Sequence, residues 1–107
     1  MRQALVRYNG RLAGILIETT KGFEYQYDKD YLAGGIAISF NYPLQEEAFY
    51  YAELPSFFEN LVSEGWMRKL QSQEQHIDVT DLFGLLLANG RDLIGAVTVT
   101  TLLGKND

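Results

Sequence analysis

Hydrophobic and polar positions alternate through the first quarter of the chain as they do in strands with one buried face. Two β-rich runs, residues 3–8 and 11–19, flank Asn9-Gly10, the dipeptide most typical of a tight hairpin turn. Residues 20–22 form a second turn signal, and residues 23–28 alternate aromatic with polar side chains. This pattern predicts an antiparallel meander of three strands.

The following segment has a weaker pattern. Residues 28–35 are typical of a turn, with a short helical turn at 30–33, and residues 36–40 are predicted as a fourth strand. Pro43 lacks a backbone donor and ends that strand pattern. Residues 41–53 contain four aromatic side chains without a clear period, so we expect an ordered loop that covers the core.

The clearest helical pattern follows Pro55, which suits the first position of a helix. Its apolar residues recur with the spacing of an amphipathic helix, and they are Leu54, Phe57, Phe58, Leu61 and Val62. Gly65 is expected to end this helix, since glycine adopts a left-handed conformation without a steric penalty. A second helix is predicted from Trp66 to about Gln75.

A third helix is predicted to start at Asp78 as N-cap, with Asp81 three residues later and Ile77 packing against Leu82. Asn89-Gly90 is expected to end it. Its core face would consist of Leu82, Phe83, Leu86 and Leu87. The β-branched segment 95–101 is predicted to return to the sheet as the last strand.

These elements predict one α+β domain over residues 1–107, in which about three helices pack on one side of an antiparallel meander sheet. Apolar residues make up 47% of the chain and charged residues 21%, as in folded globular proteins. We expect no membrane segment, because no apolar run approaches 20 residues and the N-terminus lacks the core of a signal peptide. The absence of cysteine fits a reducing compartment, so the expected location is cytoplasmic.

Charge and residue content argue against several functions. A net charge of −5 repels phosphate backbones, so direct nucleic-acid binding is not expected. His76 is the single histidine, lies in a polar segment, and is expected at the surface rather than in a metal site. The serines lack a nucleophile-elbow motif, and Gly34-Gly35 belongs to no phosphate-binding loop. The sequence therefore predicts neither an enzyme nor a cofactor or metal site.

Binding to another protein is the function that remains, and the segment around the single tryptophan is the best candidate for it. Tryptophan and arginine are the residue types most enriched at binding hot spots. The predicted partner-binding residues are Ser63, Glu64, Gly65, Trp66, Met67 and Arg68. An alternative stays open: Trp66, Met67 and Leu70 have helical spacing and could form a buried stripe.

Several short motifs follow one another along nearly the whole chain: Tyr8-Asn9-Gly10, Gly14-x-Leu16, Phe23-x-Tyr25, Ile38-Ser39, Pro43-Leu44, Phe57-Phe58-x-Asn60-Leu61, Glu64-Gly65, Asp81-Leu82-Phe83 and Gly90-Arg91-Asp92. In their order and spacing, they resemble the N-terminal subdomain of HipA-type serine/threonine kinases. The chain is most similar to the HipS family, small separate antitoxins of tripartite HipBST toxin–antitoxin systems. In the HipA pattern a proline precedes Glu-Gly, and this chain has Ser63 there.

The resemblance implies a function and partners. It implies an antitoxin that binds and neutralises a HipT-like kinase toxin, whose substrate is an aminoacyl-tRNA synthetase, with a HipB-like DNA-binding protein in a ternary complex. The segment 63–68 would then lie at or near the kinase cleft. The alternative is a non-inhibitory structural subunit that completes the kinase or tethers it to HipB.

Overall fold

The computed structural model describes residues 1–93 and 95–102. The strands are β1 (Gln3–Tyr8), β2 (Arg11–Thr19), β3 (Gly22–Tyr27), β4 (Phe49–Tyr51) and β5 (Val97–Thr101). The helices are α1 (Lys29–Leu32), α2 (Ser56–Glu59), α3 (Gly65–Gln75) and α4 (Leu82–Asn89), followed by a short 3-10 helix, Gly90–Asp92. All strand pairs are antiparallel, in the order β4-β3-β2-β1-β5. The predicted α+β class is confirmed.

The three-stranded meander forms as predicted. Asn9 and Gly10 both have positive φ, as a tight hairpin turn between right-twisted strands requires. The pairing register places Ala4 opposite Leu16 and Leu16 opposite Tyr25, and all three side chains are fully buried. The last strand, β5, also returns as expected and pairs with β1. The sheet therefore has one face that is covered by the helices.

Helices α1, α2 and α4 pack on this face through buried side chains, which are Tyr31, Phe58, Phe83, Leu85 and Leu86. Aromatic rings fill the centre of the core: the Tyr25 ring meets the Tyr42 ring edge-on, with centroids 5.5 Å apart. Burial raises the pKa of Tyr25, Tyr27 and Tyr42, so these hydroxyls remain neutral over the physiological range. Among residues 1–93 and 95–102, every helix is too short or too polar to cross a bilayer.

The prediction of a strand at residues 36–40 is wrong. This segment is an irregular loop, and the edge of β3 pairs instead with Phe49–Tyr51, where a loop was expected. Phe49 and Tyr51 pack against the core, while Tyr50 between them is exposed. The alternation of a strand is present, but three consecutive aromatic residues conceal it in the sequence.

The helix predicted to begin at Pro55 and to end at Gly65 is much shorter than predicted. α2 spans only Ser56–Glu59, and the chain continues through turns in which Leu61 and Val62 donate to Phe58 O and Glu59 O. Phe58 and Val62 are buried, and the other residues of the predicted stripe also pack against the core. Periodicity therefore identified the buried side chains correctly but overestimated the length of regular helix. Gly65 has φ +61° as anticipated, but it begins α3 rather than ending α2.

The start of the last helix is also different from the prediction. Asp81, not Asp78, is the N-cap of α4, and its carboxylate accepts a hydrogen bond of 3.0 Å from the Gly84 N–H. Asp78 instead closes a turn by accepting from the Thr80 N–H at 2.8 Å. Ile77 and Leu82, predicted to pack together at a helix start at Asp78, both pack against the core. The β-branched Val79 and Thr80 disfavour a helical first turn, and a tertiary contact from Arg2 to Asp81 favours the later start.

Candidate functional site

The predicted partner-binding segment forms a corner between the turn after α2 and the start of α3. Glu64 is the N-cap of α3 in an extended conformation, and Gly65 turns the chain with its positive φ. A Cβ at Gly65 would meet no atom within 4 Å, so the constraint there is conformational rather than steric. We call residues 63–68 the Trp66 corner.

Trp66 projects from the corner into solvent, with 71% of its surface exposed. Met67 and Leu70 are also exposed, and α3 contains no buried residue. The alternative reading, in which Trp66, Met67 and Leu70 form a buried stripe, is therefore wrong for this structure. An exposed apolar cluster of this kind contributes little to folding and is typical of a recognition surface.

Hydrogen bonds within the corner hold its backbone against α3. Arg68 Nε donates to Ser63 O at 2.8 Å, and Gln71 Nε2 donates to Ser63 Oγ at 3.3 Å. The six predicted residues therefore divide into two groups. Ser63 and Arg68 are partly buried and fasten the corner, whereas Glu64, Gly65, Trp66 and Met67 are exposed. Because Arg68 already bonds within the chain, it is a positioning residue more than a contact residue.

α3 is attached to the body of the molecule mainly through α4. The side-chain amides of Gln75 and Asn89 exchange two hydrogen bonds, of 2.8 and 2.9 Å. Beside this contact lies a cavity of about 210 Å³, bordered by Gln71 of α3, by Leu85 and Leu86 of α4, and by Leu61 and Val62 of the turns after α2. Gln71 Oε1 is buried there without a partner among the described residues. The polar attachment fixes the direction in which α3 presents Trp66.

A second cluster of polar side chains lies at the opposite end of α4. Arg2 bonds Glu18 through Nε at 2.8 Å and Asp81 through Nη1 at 2.8 Å, and its guanidinium lies over the Phe83 ring. Hydrogen bonds from Arg2 lower the pKa of both carboxyls, so both are ionised at neutral pH and neither is poised as a general acid. Within residues 1–93 and 95–102, no group of three or more acidic or histidine side chains is placed to hold a metal ion.

His76 is exposed, as the sequence predicts, and it ends α3 in a left-handed conformation with φ +57°. The sequence reasoning missed two exposed apolar positions. The helical spacing of Leu70 suggests a core position, and the pattern of residues 36–40 predicts a strand, yet Leu70 is exposed and Phe40 is 98% exposed. A sequence signal for Phe40 exists: the stretch 32–45 around it contains no charged residue.

The family model of the HipA N-terminal domain matches residues 4–100. The chain belongs to this family. An uncharacterised protein of Haemophilus influenzae is 35% identical over 99 residues, which cover 92% of each chain. The resemblance inferred from the short motifs is thereby confirmed.

Solved structures agree with this family assignment. A structure described as the N-terminal domain of HipA toxin superposes with a TM-score of 0.77 at 32% identity, covering 97% of this chain and 95% of that one. A Shewanella oneidensis HipA, solved with HipB and operator DNA, superposes with a TM-score of 0.74 at 20% identity. The present chain covers only 24% of that HipA chain. At that identity the second likeness shows the fold alone.

Proposed function

We propose that this chain is an antitoxin that binds and neutralises a HipT-type serine/threonine kinase toxin in the cytoplasm, and that it has no catalytic activity of its own. The observation that carries the proposal is the exposure of Trp66 on a corner fastened by Arg68. A tryptophan on a corner whose backbone is already ordered can enter a pocket with a smaller loss of conformational freedom than one on a disordered segment.

In the proposed mechanism, the Trp66 corner lies at or near the cleft of the kinase. Glu64 and Gly65 set the entry of α3, and Met67 and Leu70 extend the apolar contact along one side of the helix. An indole buried at the centre of an interface typically contributes more than about 2 kcal/mol, or about thirtyfold in affinity. Occupation of the cleft would exclude the substrates of the kinase.

A phosphorylation assay tests neutralisation directly. The purified HipT-type kinase is incubated with its aminoacyl-tRNA synthetase substrate and increasing amounts of this protein, in the absence of HipB. We expect dose-dependent loss of phosphorylation, and Trp66→Ala should shift the inhibition curve by about thirtyfold or more. Tyr50→Ala is the matched control, because Tyr50 is 73% exposed but projects from the opposite face of the sheet.

A structural subunit is the second candidate function. In the Shewanella structure, HipA is solved with HipB and operator DNA, so a domain with this fold occurs in a DNA-bound assembly. By analogy, this chain would complete the kinase or tether it to a HipB-like protein. Tight binding to the kinase with unchanged phosphorylation would support that role and count against inhibition, whereas inhibition that is complete without HipB would count against it.

A further inference from the structure

A second exposed apolar surface lies on the loop between α1 and β4. Phe40 at its tip is 98% exposed, and Ile36 and Leu44 on either side of it are also exposed. We call residues 36–44 the Phe40 loop. A side chain with almost no contact to its own chain adds nothing to packing, so the apolar character of the tip is not explained by the fold.

Two tyrosine hydroxyls hold the Phe40 loop in place. Tyr31 Oη donates to Ile36 O at 2.6 Å and accepts from the Ile36 N–H. Tyr27 Oη accepts from the Ile38 N–H at 3.0 Å and donates to Tyr42 O. The buried side chains of Ile38 and Tyr42 anchor the loop on both sides of the tip. Phe40 is thus presented by an ordered loop, which lowers the entropic cost of binding.

The charge pattern of this segment is typical of the centre of an interface. Residues 32–45 contain no charged side chain, although charged residues make up 21% of the chain and a stretch of this length would ordinarily hold several. Interface centres are depleted of charge and enriched in aromatic residues. The partner surface that fits the Phe40 loop is therefore an uncharged apolar pocket on a protein.

The Phe40 loop adjoins the same segment that leads to the Trp66 corner. Asn41 and Tyr42 border an open hollow together with Pro55, Ser56 and Phe57. The rings of Tyr42 and Phe57 have centroids 5.8 Å apart. The chain then passes through α2 and its following turns to Ser63. The Phe40 loop therefore lies next to the start of segment 55–62, and the Trp66 corner follows its end. This segment is part of the helical layer.

We propose that the Phe40 loop is a second docking site for the same kinase that the Trp66 corner engages. This inference rests on the proposed function and adds a second contact to it. A stable interface buries about 800 Å² on each partner, whereas one tryptophan buries about 150–250 Å². A partner bound at the Trp66 corner must therefore cover further surface, and the Phe40 loop offers apolar surface at the other end of segment 55–62.

A second copy of this chain is a less suitable occupant. Each copy has a net charge of −5, which opposes self-association. Sedimentation of the isolated protein across a concentration series provides the comparison. We expect a monomer over this series.

Calorimetric titration of the kinase with full-length variants tests the docking site. Phe40→Ala should weaken binding by about thirtyfold or more with an unchanged melting temperature, because Phe40 makes almost no contact within the free protein. Phe40→Leu, which keeps an apolar tip, should recover part of the affinity. Tyr50→Ala is again the control and should bind as the wild type does, since Tyr50 lies on the opposite face of the sheet.

Amide hydrogen exchange tests the docking site on the wild-type protein, so its result does not depend on how well a variant folds. Exchange at residues 39–41 should slow when the kinase is bound, whereas unchanged exchange there would overturn the second docking site.

The outcomes separate the two proposals. If Phe40→Ala binds as tightly as the wild type while Trp66→Ala is weakened, the second docking site is refuted and the proposed function stands. If the wild-type protein does not bind the kinase, the proposed function fails and the second site fails with it. If the free protein self-associates and Phe40→Ala abolishes this, the loop is a contact between copies and the inference is wrong.

Discussion

Trp66 and Phe58 show how differently two large aromatic side chains are used within eight residues of sequence. Phe58 is fully buried, with its ring 5.8 Å from that of Tyr25 and 5.9 Å from that of Tyr42. Trp66 is 71% exposed on a helix that buries none of its residues. Because stability depends on area removed from water, the two side chains should differ sharply in their effect on folding.

Substitution by alanine measures this difference. Phe58→Ala should lower the free energy of unfolding by about 3–5 kcal/mol, through lost burial and a cavity among the aromatic rings. Trp66→Ala should change it by less than about 0.5 kcal/mol, as expected for an exposed position. Urea denaturation of both variants, followed by circular dichroism, provides the measurement. A destabilisation of several kcal/mol by Trp66→Ala would mean that the indole packs within the free protein in solution.

At the scale of the element, α4 shows how one carboxylate can have two structural roles. Asp81 accepts a hydrogen bond from the Gly84 N–H at the start of the helix and also pairs with Arg2, which directly precedes β1. Asp78 has only a local role, in the turn closed by Thr80. The start of α4 is therefore fixed by a capping bond that is itself tied to the sheet.

Variants of Asp81 and Asp78 distinguish the contribution of the helix cap to stability from that of the ion pair with Arg2. Asp81→Ala removes both and should destabilise the protein by about 1–2 kcal/mol. Asp81→Asn keeps an acceptor for the Gly84 N–H and should cost less than half of that. Asp78→Ala is the control and should have the smallest effect on thermal unfolding. If Asp78→Ala proves the most damaging of the three, the helix starts at Asp78 after all.

At the scale of the whole molecule, Arg2 connects parts of the chain that are far apart in sequence. Its guanidinium bonds Glu18 at the end of β2 and Asp81 at the start of α4, and it covers the Phe83 ring. The pairs are partly exposed, with 41% of the Arg2 side chain accessible, so solvent screening limits their contribution. Their effect should nevertheless be visible in the pH dependence of stability.

The direction of that dependence follows from the pKa values. Hydrogen bonds from Arg2 hold the pKa of Glu18 below its ordinary 4.5 and that of Asp81 below its ordinary 3.8. The unfolded chain therefore binds protons more readily than the folded one, and the stabilisation present above these ordinary values is lost as the pH falls through the folded ones.

We therefore expect Arg2→Gln to be less stable than the wild type by about 1 kcal/mol at neutral pH, a difference that shrinks towards about pH 3. Urea midpoints measured across this range provide the test. A difference that stays constant with pH would show that the Arg2 side chain acts through its packing on Phe83 rather than through its charge.

The family and the fold class could be predicted from the sequence because they depend on local patterns and short motifs distributed along the whole chain. Motif order indicated the HipA N-terminal family, which the comparisons confirm. The Trp66 corner is recognisable in the sequence as a candidate site, since a single tryptophan lies beside Glu64-Gly65. Its exposure was not predictable, because the helical spacing of Trp66, Met67 and Leu70 suits a buried stripe as well as an exposed one.

By itself, the sequence determined the hairpin, the three-stranded meander and the returning last strand, since local turn chemistry and hydrophobic periodicity decide these. It determined the core only in part. Phe83 and Leu86 are buried as predicted, whereas Leu85 is fully buried in place of the predicted Leu82 and Leu87, which are only partly buried.

Only the tertiary structure decided which segment pairs with β3 and on which side Trp66 and Phe40 lie, and it helped to decide which aspartate caps α4. In each of these cases the local sequence pattern is compatible with more than one arrangement. Contacts between distant residues, such as Arg2 with Asp81 and Tyr27 with the Phe40 loop, select one of them.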